Sequence, residues 1–451
     1  MAEGKSGNPE MNDYVTAQLE FMETLTSLDQ LLQAEAHENA RKRDSERRGR
    51  LVFEALRDAA GRDVVENWEN DWKGRSKAAI QSLADEAELK KELDRIESDA
   101  LDKLMEMIES LGENTSSLNV AVQQSKLRPK PEELIYRAIL VSAVSAFEGA
   151  MASAYRAILS AKPEEVMSGT KEFSLADLAR FSSISDAFSD AVERRVDAAL
   201  RGGLEDWAAV FIKFNIHFQQ IATDWGATTE VFMRRNAYIH TQGKVNATYA
   251  SKVASSPAKG EPLPLDEEYL REAISRIMTL GTLVMSRVQQ TLQPEGSLTA
   301  VGIPYLYMDE LMRLGYWQGV RDICANLKGL DVRLDLKFEL RFTHWLARKK
   351  LTGVQSIRKE VESLDVTALK PQFGFKKAIL LDDWDSAMTL LSEARERSES
   401  WAHGIEGSSF VEHQPDAHRE ITKRLDSLEG STADLNGDRQ LPPTPPSEPG
   451  S

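Results

Sequence analysis

Residues 134–159 read LIYRAILVSAVSAFEGAMASAYRAIL, apolar or small on nearly every side, with a single carboxylate, Glu148, in the middle. A helix with no polar face has nothing to turn towards water, so this stretch predicts a buried central helix. Its longest apolar run, residues 138–147, is too short to span a bilayer and is closed by Glu148. Membrane insertion is therefore not expected. A carboxylate amid AFEGAMA needs a buried partner instead, and a guanidinium is a suitable one.

The rest of the chain agrees with helix. Alternating Val/Ile/Thr runs are few, and no Asn-Gly or Asp-Gly turn joins two of them. Helical periodicity dominates, which predicts an all-α protein. At 451 residues the chain exceeds one comfortable core, so two or three domains are expected. Residues 1–128 read as charged, coiled-coil-like helices. Leu19, Met22, Leu25, Leu28, Leu31 and Leu32 form one apolar stripe, and Leu89, Leu93, Ile96, Leu101, Leu104, Ile108 and Leu111 another. The basic run RKRDSERRGR (41–50) reads as a solvated helix face. The prolines of KLRPKP (126–131) mark the first boundary and QPEGSLTAVGIP (293–304) the second, leaving a domain at 129–292. Within it Trp207, Phe211, Phe214 and Phe218 form a packed face, with His217 beside it a satisfied or exposed residue. Asp266 caps a last helix whose seam is Leu270, Ile274, Ile277, Gly281, Val284 and Val288.

From 300 to 428 a weak repeat appears. Trp317, Val320 and Ile323, then Leu351, Val354 and Ile357, then Trp384, Ala387 and Leu390 share one spacing, with a period near 34. Such a period resembles tetratricopeptide repeats, which implies stacked helical hairpins and a protein partner there. Residues 429–451, rich in Pro and Gly, read as a disordered tail.

The net charge of −16 argues against nonspecific coating of nucleic acid. One stretch departs from it. Val231–Gly260 holds Arg234, Arg235, Lys244, Lys252 and Lys259 and no acidic residue. The lone cysteine, Cys324, excludes an intramolecular disulfide framework. The opening MAEGKSGNPE lacks a secretory pattern, so a reducing, cytoplasmic setting is expected. No cluster of His and carboxylates has metal-ligand spacing, and no metal or other cofactor is expected.

The positive stretch contains MRRNAYIHTQGKVN (233–246). Thr229–His240 predicts a helix that Gly243 stops. Asn236 lies one turn below His240 and is placed to orient its ring, whereas Arg235 is about 140° around from it. A second Arg/His pair, Arg397 and His403, lies among glutamates and reads as chance. RNAYIHTQGKVN, preceded by a buried helix with an acidic residue in its middle, resembles the HEPN superfamily of all-α nucleases, over about residues 130–292. These carry Arg-x(4–6)-His, often with Asn directly after the Arg. The resemblance implies a HEPN-like helical bundle in which Arg235 and His240 are the catalytic pair. Asn236 would be their orienting neighbour, and Glu148 the polar helix residue that accompanies them. Arg234, Lys244 and Asn246 are then expected to contact substrate. A subgroup of toxins has Tyr two residues after the His; here Gln242 stands there, so that mode of regulation is not implied.

RNA carries its own nucleophile, the 2′-hydroxyl, so such a site must move protons and stabilise charge on phosphorus. An imidazole can do the first and a guanidinium fork the second. Attack and departure each need a proton carrier. A homodimer with two copies of the pair in one cleft supplies both, and HEPN nucleases resemble this arrangement. The expected activity is metal-independent cleavage of RNA, in a toxin or antiviral effector. Two other readings are kept. A non-catalytic HEPN-like scaffold binds RNA or only dimerises, with repeats that hold a protein. A purely structural role puts Arg235 on Glu148 and His240 at the helix end.

Overall fold

The computed structural model describes residues 9–33, 54–82, 86–110, 120, 131–167, 180–222, 224–254, 256–293, 297–328, 332–402 and 408–424. The basic run 41–50, residue 403 and the tail 429–451 lie outside the described residues. The protein is all-α: among the described residues the only extended pairing is one antiparallel bridge, Lys244 to Pro262. The chain divides into two compact units, Met1–Asp29 with Leu140–Ser451, and Gln30–Ile139.

In the smaller unit, helix α2 (Arg62–Ser82) packs on α3 (Glu86–Ser110); α1 (Pro9–Gln33) precedes them and lies mostly in the larger unit. The indole of Trp68 donates to Ala100 O at 3.0 Å, and the ion pairs Asp71–Lys103 and Arg75–Asp99 fix an antiparallel order. Leu56 and Val65 form a small core, with Leu104, Met107 and Ile108 packed against it. The predicted seam through Ile96, Leu104 and Ile108 does face inward; Leu101 and Leu111 fall outside the described side chains.

The larger unit is organised by three long helices: α1, α4 (Pro131–Ala161) and, further on, the one at Glu267–Leu292. Proline at the first position of α4 supplies a helical φ at no hydrogen-bond cost. By length and composition the segment Glu132–Ala161 of α4 is long and apolar enough to cross a membrane, which the run 138–147 alone did not suggest. In the fold, Phe147 meets Phe21, Phe218 and Phe232 edge-on at centroid distances of 6.4, 6.5 and 5.2 Å. Such aromatic pairs add about 0.5–1.5 kcal/mol each beyond burial.

The phase of α1 differs from the leucine stripe. Leu19 and Leu31 are exposed, whereas Tyr14, Gln18, Phe21 and Asp29 are buried with Met22 and Leu25. The reason is tertiary. Tyr14 donates to Met285 O at 2.8 Å, Phe21 lies against Gly281, and Tyr316 donates to the Asp29 carboxylate. Aromatic donors with buried acceptors set the rotation of α1.

After α4 come α5 (Pro163–Met167), α6 (Ile184–Leu200), α7 (Leu204–Ile212), α8 (Phe218–Ile221), α9 (Trp225–His240), α10 (Ala247–Lys252) and α11 (Glu267–Leu292). Trp207, Phe211, Phe214 and Phe218 are all buried, as predicted, although the chain breaks between α7 and α8 at Asn215, where φ is +61°. His217 sits at that break, 3.1 Å from the Asn215 side chain. Asp266 caps α11 by accepting from Tyr269 N at 2.8 Å, and the predicted seam of α11 is buried throughout.

Three helical hairpins follow. They are α12 (Ser297–Arg313) with α13 (Trp317–Leu327), α14 (Leu334–Thr352) with a 3-10 turn and α15 (Arg358–Glu362), and α16 (Pro371–Leu380) with α17 (Trp384–Glu396). The first and third triplets open the second arms of their hairpins, at Trp317 and Trp384, whereas the middle one starts at Leu351, still in α14, and runs through the 3-10 turn to Ile357. Helix α12 begins inside the stretch expected as a boundary and carries Pro304 within it. Helix α11 packs on both α12 and α13, so the larger unit takes in residues on both sides of that stretch.

Candidate functional site

The site is built on α9. Its N-terminus is capped by Asp224, whose Oδ1 accepts from Ala227 N at 2.9 Å, satisfying one orphan amide. Its C-terminus is closed tightly. Thr241 N and Gly243 N both donate to Ala237 O, at 2.8 and 3.1 Å, while Gln242 and Gly243 adopt φ of +54° and +76°. Gly243 is obligatory on two counts: a side chain would disfavour its φ, and a Cβ would stand 2.6 Å from the Tyr238 ring. The chain then folds back. Leu263 N donates to Gly243 O at 2.7 Å and Val245 N to Glu261 O at 2.9 Å, and the Tyr238 hydroxyl donates to Leu263 O. Ala237, Val245, Tyr249 and Leu263 form the apolar filling beneath this loop.

Arg235 faces α4. Its Nη2 donates to the Glu148 carboxylate and its Nη1 to Asn236 Oδ1 at 2.9 Å; the two charged side chains are 17% and 16% exposed. Burial raises the Glu148 pKa above the ordinary carboxylate value, against the lowering effect of Arg235, so desolvation outweighs the pairing. The Arg235 Nε is buried with no hydrogen-bond partner among the described residues. One N–H on each terminal nitrogen remains to be satisfied. The predicted buried partner for Glu148 is thus a residue 87 positions away.

Asn236 accepts from Arg235, not from the imidazole it was expected to orient. His240 is the last residue of α9; it is exposed and its ring makes no hydrogen bond among the described residues. Helix α9 runs to His240 without the bend that would turn the ring towards Arg235, so helix geometry leaves the two about 140° apart. Within one chain the pair diverges.

Two of the three expected substrate contacts serve the fold instead. Asn246 is the N-cap of α10, its Oδ1 accepting from Tyr249 N at 2.8 Å. Arg234 is held in a polar cluster that sequence reading missed. Its Nε donates to Glu230 Oε1 at 2.6 Å and its Nη1 to Pro264 O at 2.7 Å, and it lies 4.0 Å from the Tyr269 ring centroid. Tyr249 and Tyr269 also donate to Glu230, at 2.5 and 2.8 Å. Burial, then the Glu230 carboxylate, pushes the Tyr249 hydroxyl up to about 12, so it stays a donor. The only advance sign of this cluster was the Glu230/Arg234 spacing of four. Lys244 alone of the three is exposed, with no ion-pair partner among the described residues.

The positive island is largely neutralised in space. Arg234 pairs with Glu230, Arg235 with Glu148 and Lys252 with Glu205. Lys244 and Lys259 remain. A cleft of about 1160 Å³ between the starts of α9, α11 and α13 is lined by Asp224, Glu267, Glu268, Glu272 and Asp322 against Arg271 and Arg276, and neither Arg235 nor His240 lines it. Among the described residues no group of three or more His, Cys, Asp or Glu side chains converges as a metal site. The chain matches no model of a known protein family, no curated protein and no solved structure.

Proposed function

We propose that the chain is a HEPN-type, metal-independent endoribonuclease that works as a homodimer. The observation that supports this reading is the contrast within α9. Arg235 is fixed by Glu148 and Asn236 with N–H groups to spare, while His240 stands at the helix end with its ring unengaged. A fixed guanidinium suits charge stabilisation at phosphorus, and an exposed imidazole suits proton transfer. Because the two diverge within one protomer, the composite cleft takes a pair from each of two copies across a two-fold axis. One His240 removes the proton from the 2′-hydroxyl as it attacks phosphorus. The other protonates the departing 5′-oxygen, leaving a 2′,3′-cyclic phosphate and a 5′-hydroxyl. Lys244 contacts a neighbouring phosphate. The role is that of a toxin or antiviral effector, with the hairpins of residues 297–396 as the place for a protein regulator.

The test is cleavage of total RNA by purified protein in EDTA, with end-group analysis. Cyclic phosphate ends, lost in Arg235→Ala and His240→Ala, are expected; dependence on a divalent ion would refute the mechanism. A second reading, a non-catalytic scaffold, is favoured by the neutralised island and by a cleft in which acids outnumber arginines. It predicts intact RNA and equal RNA binding by all three proteins.

A further inference from the structure

Where α13 of the first hairpin packs on α14 of the second, the charge of the two helices is opposite to that of the molecule. A cleft of about 520 Å³ opens there, within the roughly 300–1,000 Å³ typical of small-molecule sites. Helix α14 presents Leu334, Phe338, Arg341 and Trp345 to it, a spacing of four, three and four that puts them on one face. Basic side chains gather in the same wall: Lys328 from the end of α13 and Arg341 and Arg348 from α14, with the His344 imidazole among them.

The acids of α14 are spent elsewhere. Asp335 pairs with Arg333 at 2.7 Å and lies 3.6 Å from Lys370; Glu339 bonds Lys376 and Gln372. The only acid in the wall, Glu360, receives Arg348 on both oxygens, at 2.8 and 2.9 Å, and the Trp345 indole at 3.1 Å. Arg341 lies 4.6 Å from the Trp345 ring centroid, and neither it nor Lys328 has a carboxylate partner among the described residues. Burial, then the charges of Arg348, Lys328 and Arg321, holds the His344 imidazole below its ordinary value, which favours the neutral ring with one N–H to donate. Uncompensated cations beside an apolar wall, in a protein of net charge −16, are a recognition feature for an anion with an apolar body.

We propose that this cleft binds a phosphate ester of mononucleotide size, its phosphate held by Lys328, Arg341 and His344 and its planar part lying against Phe338 and Leu334. Arginine donates to phosphate in a fork and lysine as a point charge, so the pair fixes both orientation and sign. The site stands apart from α9 and does not depend on the nuclease reading.

The test is calorimetric titration of the full chain with nucleoside 5′-monophosphates, the matching nucleosides, inorganic phosphate and a 5′-phosphorylated trinucleotide RNA. Nucleotides are expected to bind at least tenfold tighter than nucleosides. Lys328→Glu and Arg341→Gln are each expected to weaken them at least tenfold with melting temperature unchanged, while Arg235→Ala and His240→Ala bind as wild type. Binding of the trinucleotide but not free nucleotide, with the same two losses, assigns the same phosphate site to an RNA end. Nucleosides binding as well as nucleotides, no binding of any phosphate compound at millimolar concentration, or indifference to both substitutions overturns the proposal.

Discussion

Glu148 and Arg235 each offset part of the other's cost of burial, and neither has another charged partner among the described residues. Removing either leaves a largely buried charge without its partner, and the cost lies towards the low end of the ~3–5 kcal/mol seen for buried pairs, because both side chains keep some exposure. Glu148→Ala and Arg235→Ala are each expected to lower stability by about that amount, and the double variant by clearly less than their sum, in a denaturant double-mutant cycle. Additive losses would show that the pair is not coupled. The raised Glu148 pKa also has a sign. A carboxyl bound more tightly to its proton in the folded state contributes stability that is full below the unfolded value, about 4.3, and is lost as pH rises through the folded one. The stability of wild type minus Glu148→Gln is therefore expected to increase on acidification from neutrality towards pH 4. His240→Ala touches nothing inside the fold. Its stability should stay within about 0.5 kcal/mol of wild type, while cleavage falls by about 10²–10⁴-fold. Unaltered cleavage would remove the imidazole from the chemistry.

Two glycines control the elements that carry these residues. Gly243→Ala forces a side chain into a left-handed residue and against the Tyr238 ring, so a loss of about 1–3 kcal/mol is expected. Amide exchange should be fastest at residues 241–263, the loop latched to α9. Protection lost equally everywhere would mean that the loop is no separate unit. Gly281→Ala would place a Cβ 2.4 Å from Phe21, where α1 crosses α11. Overpacking of this kind costs about 1–3 kcal/mol, read as a lowered melting temperature, and Phe21→Leu in the same chain is expected to recover part of it. Sequence reading placed α9, α11 and the stop at Gly243 because caps, turn residues and apolar spacing are local. It missed the face of α1, because leucines outnumber the Tyr14, Gln18 and Asp29 that tertiary partners select.

At the scale of the molecule the proposed cleft exists only between two copies. Specific cleavage activity is then expected to fall on dilution, in step with dissociation measured by light scattering. Activity independent of concentration in a monomeric preparation would contradict the two-copy mechanism. Charge belongs to this scale too. Five basic residues in thirty, with no acid among them, looked like a binding surface along the chain. In the fold, Glu148, Glu230 and Glu205 quench three of them. The basic face of α14 is hidden along the chain because Asp335 and Glu339 precede Arg341 and Arg348 in the same helix, while in space they pair with Arg333 and Lys376 instead.

By itself the sequence determined that the chain is helical, which helix is central, and that Glu148 requires a cation, since periodicity and the cost of burying charge act wherever the chain goes. Only the tertiary structure decided which cation that is, that Asn236 serves Arg235 and Asn246 a helix cap, and where positive charge survives. Ion pairs and hydrogen bonds are chosen by distance in space, and Glu148 and Arg235 stand 87 residues apart along the chain.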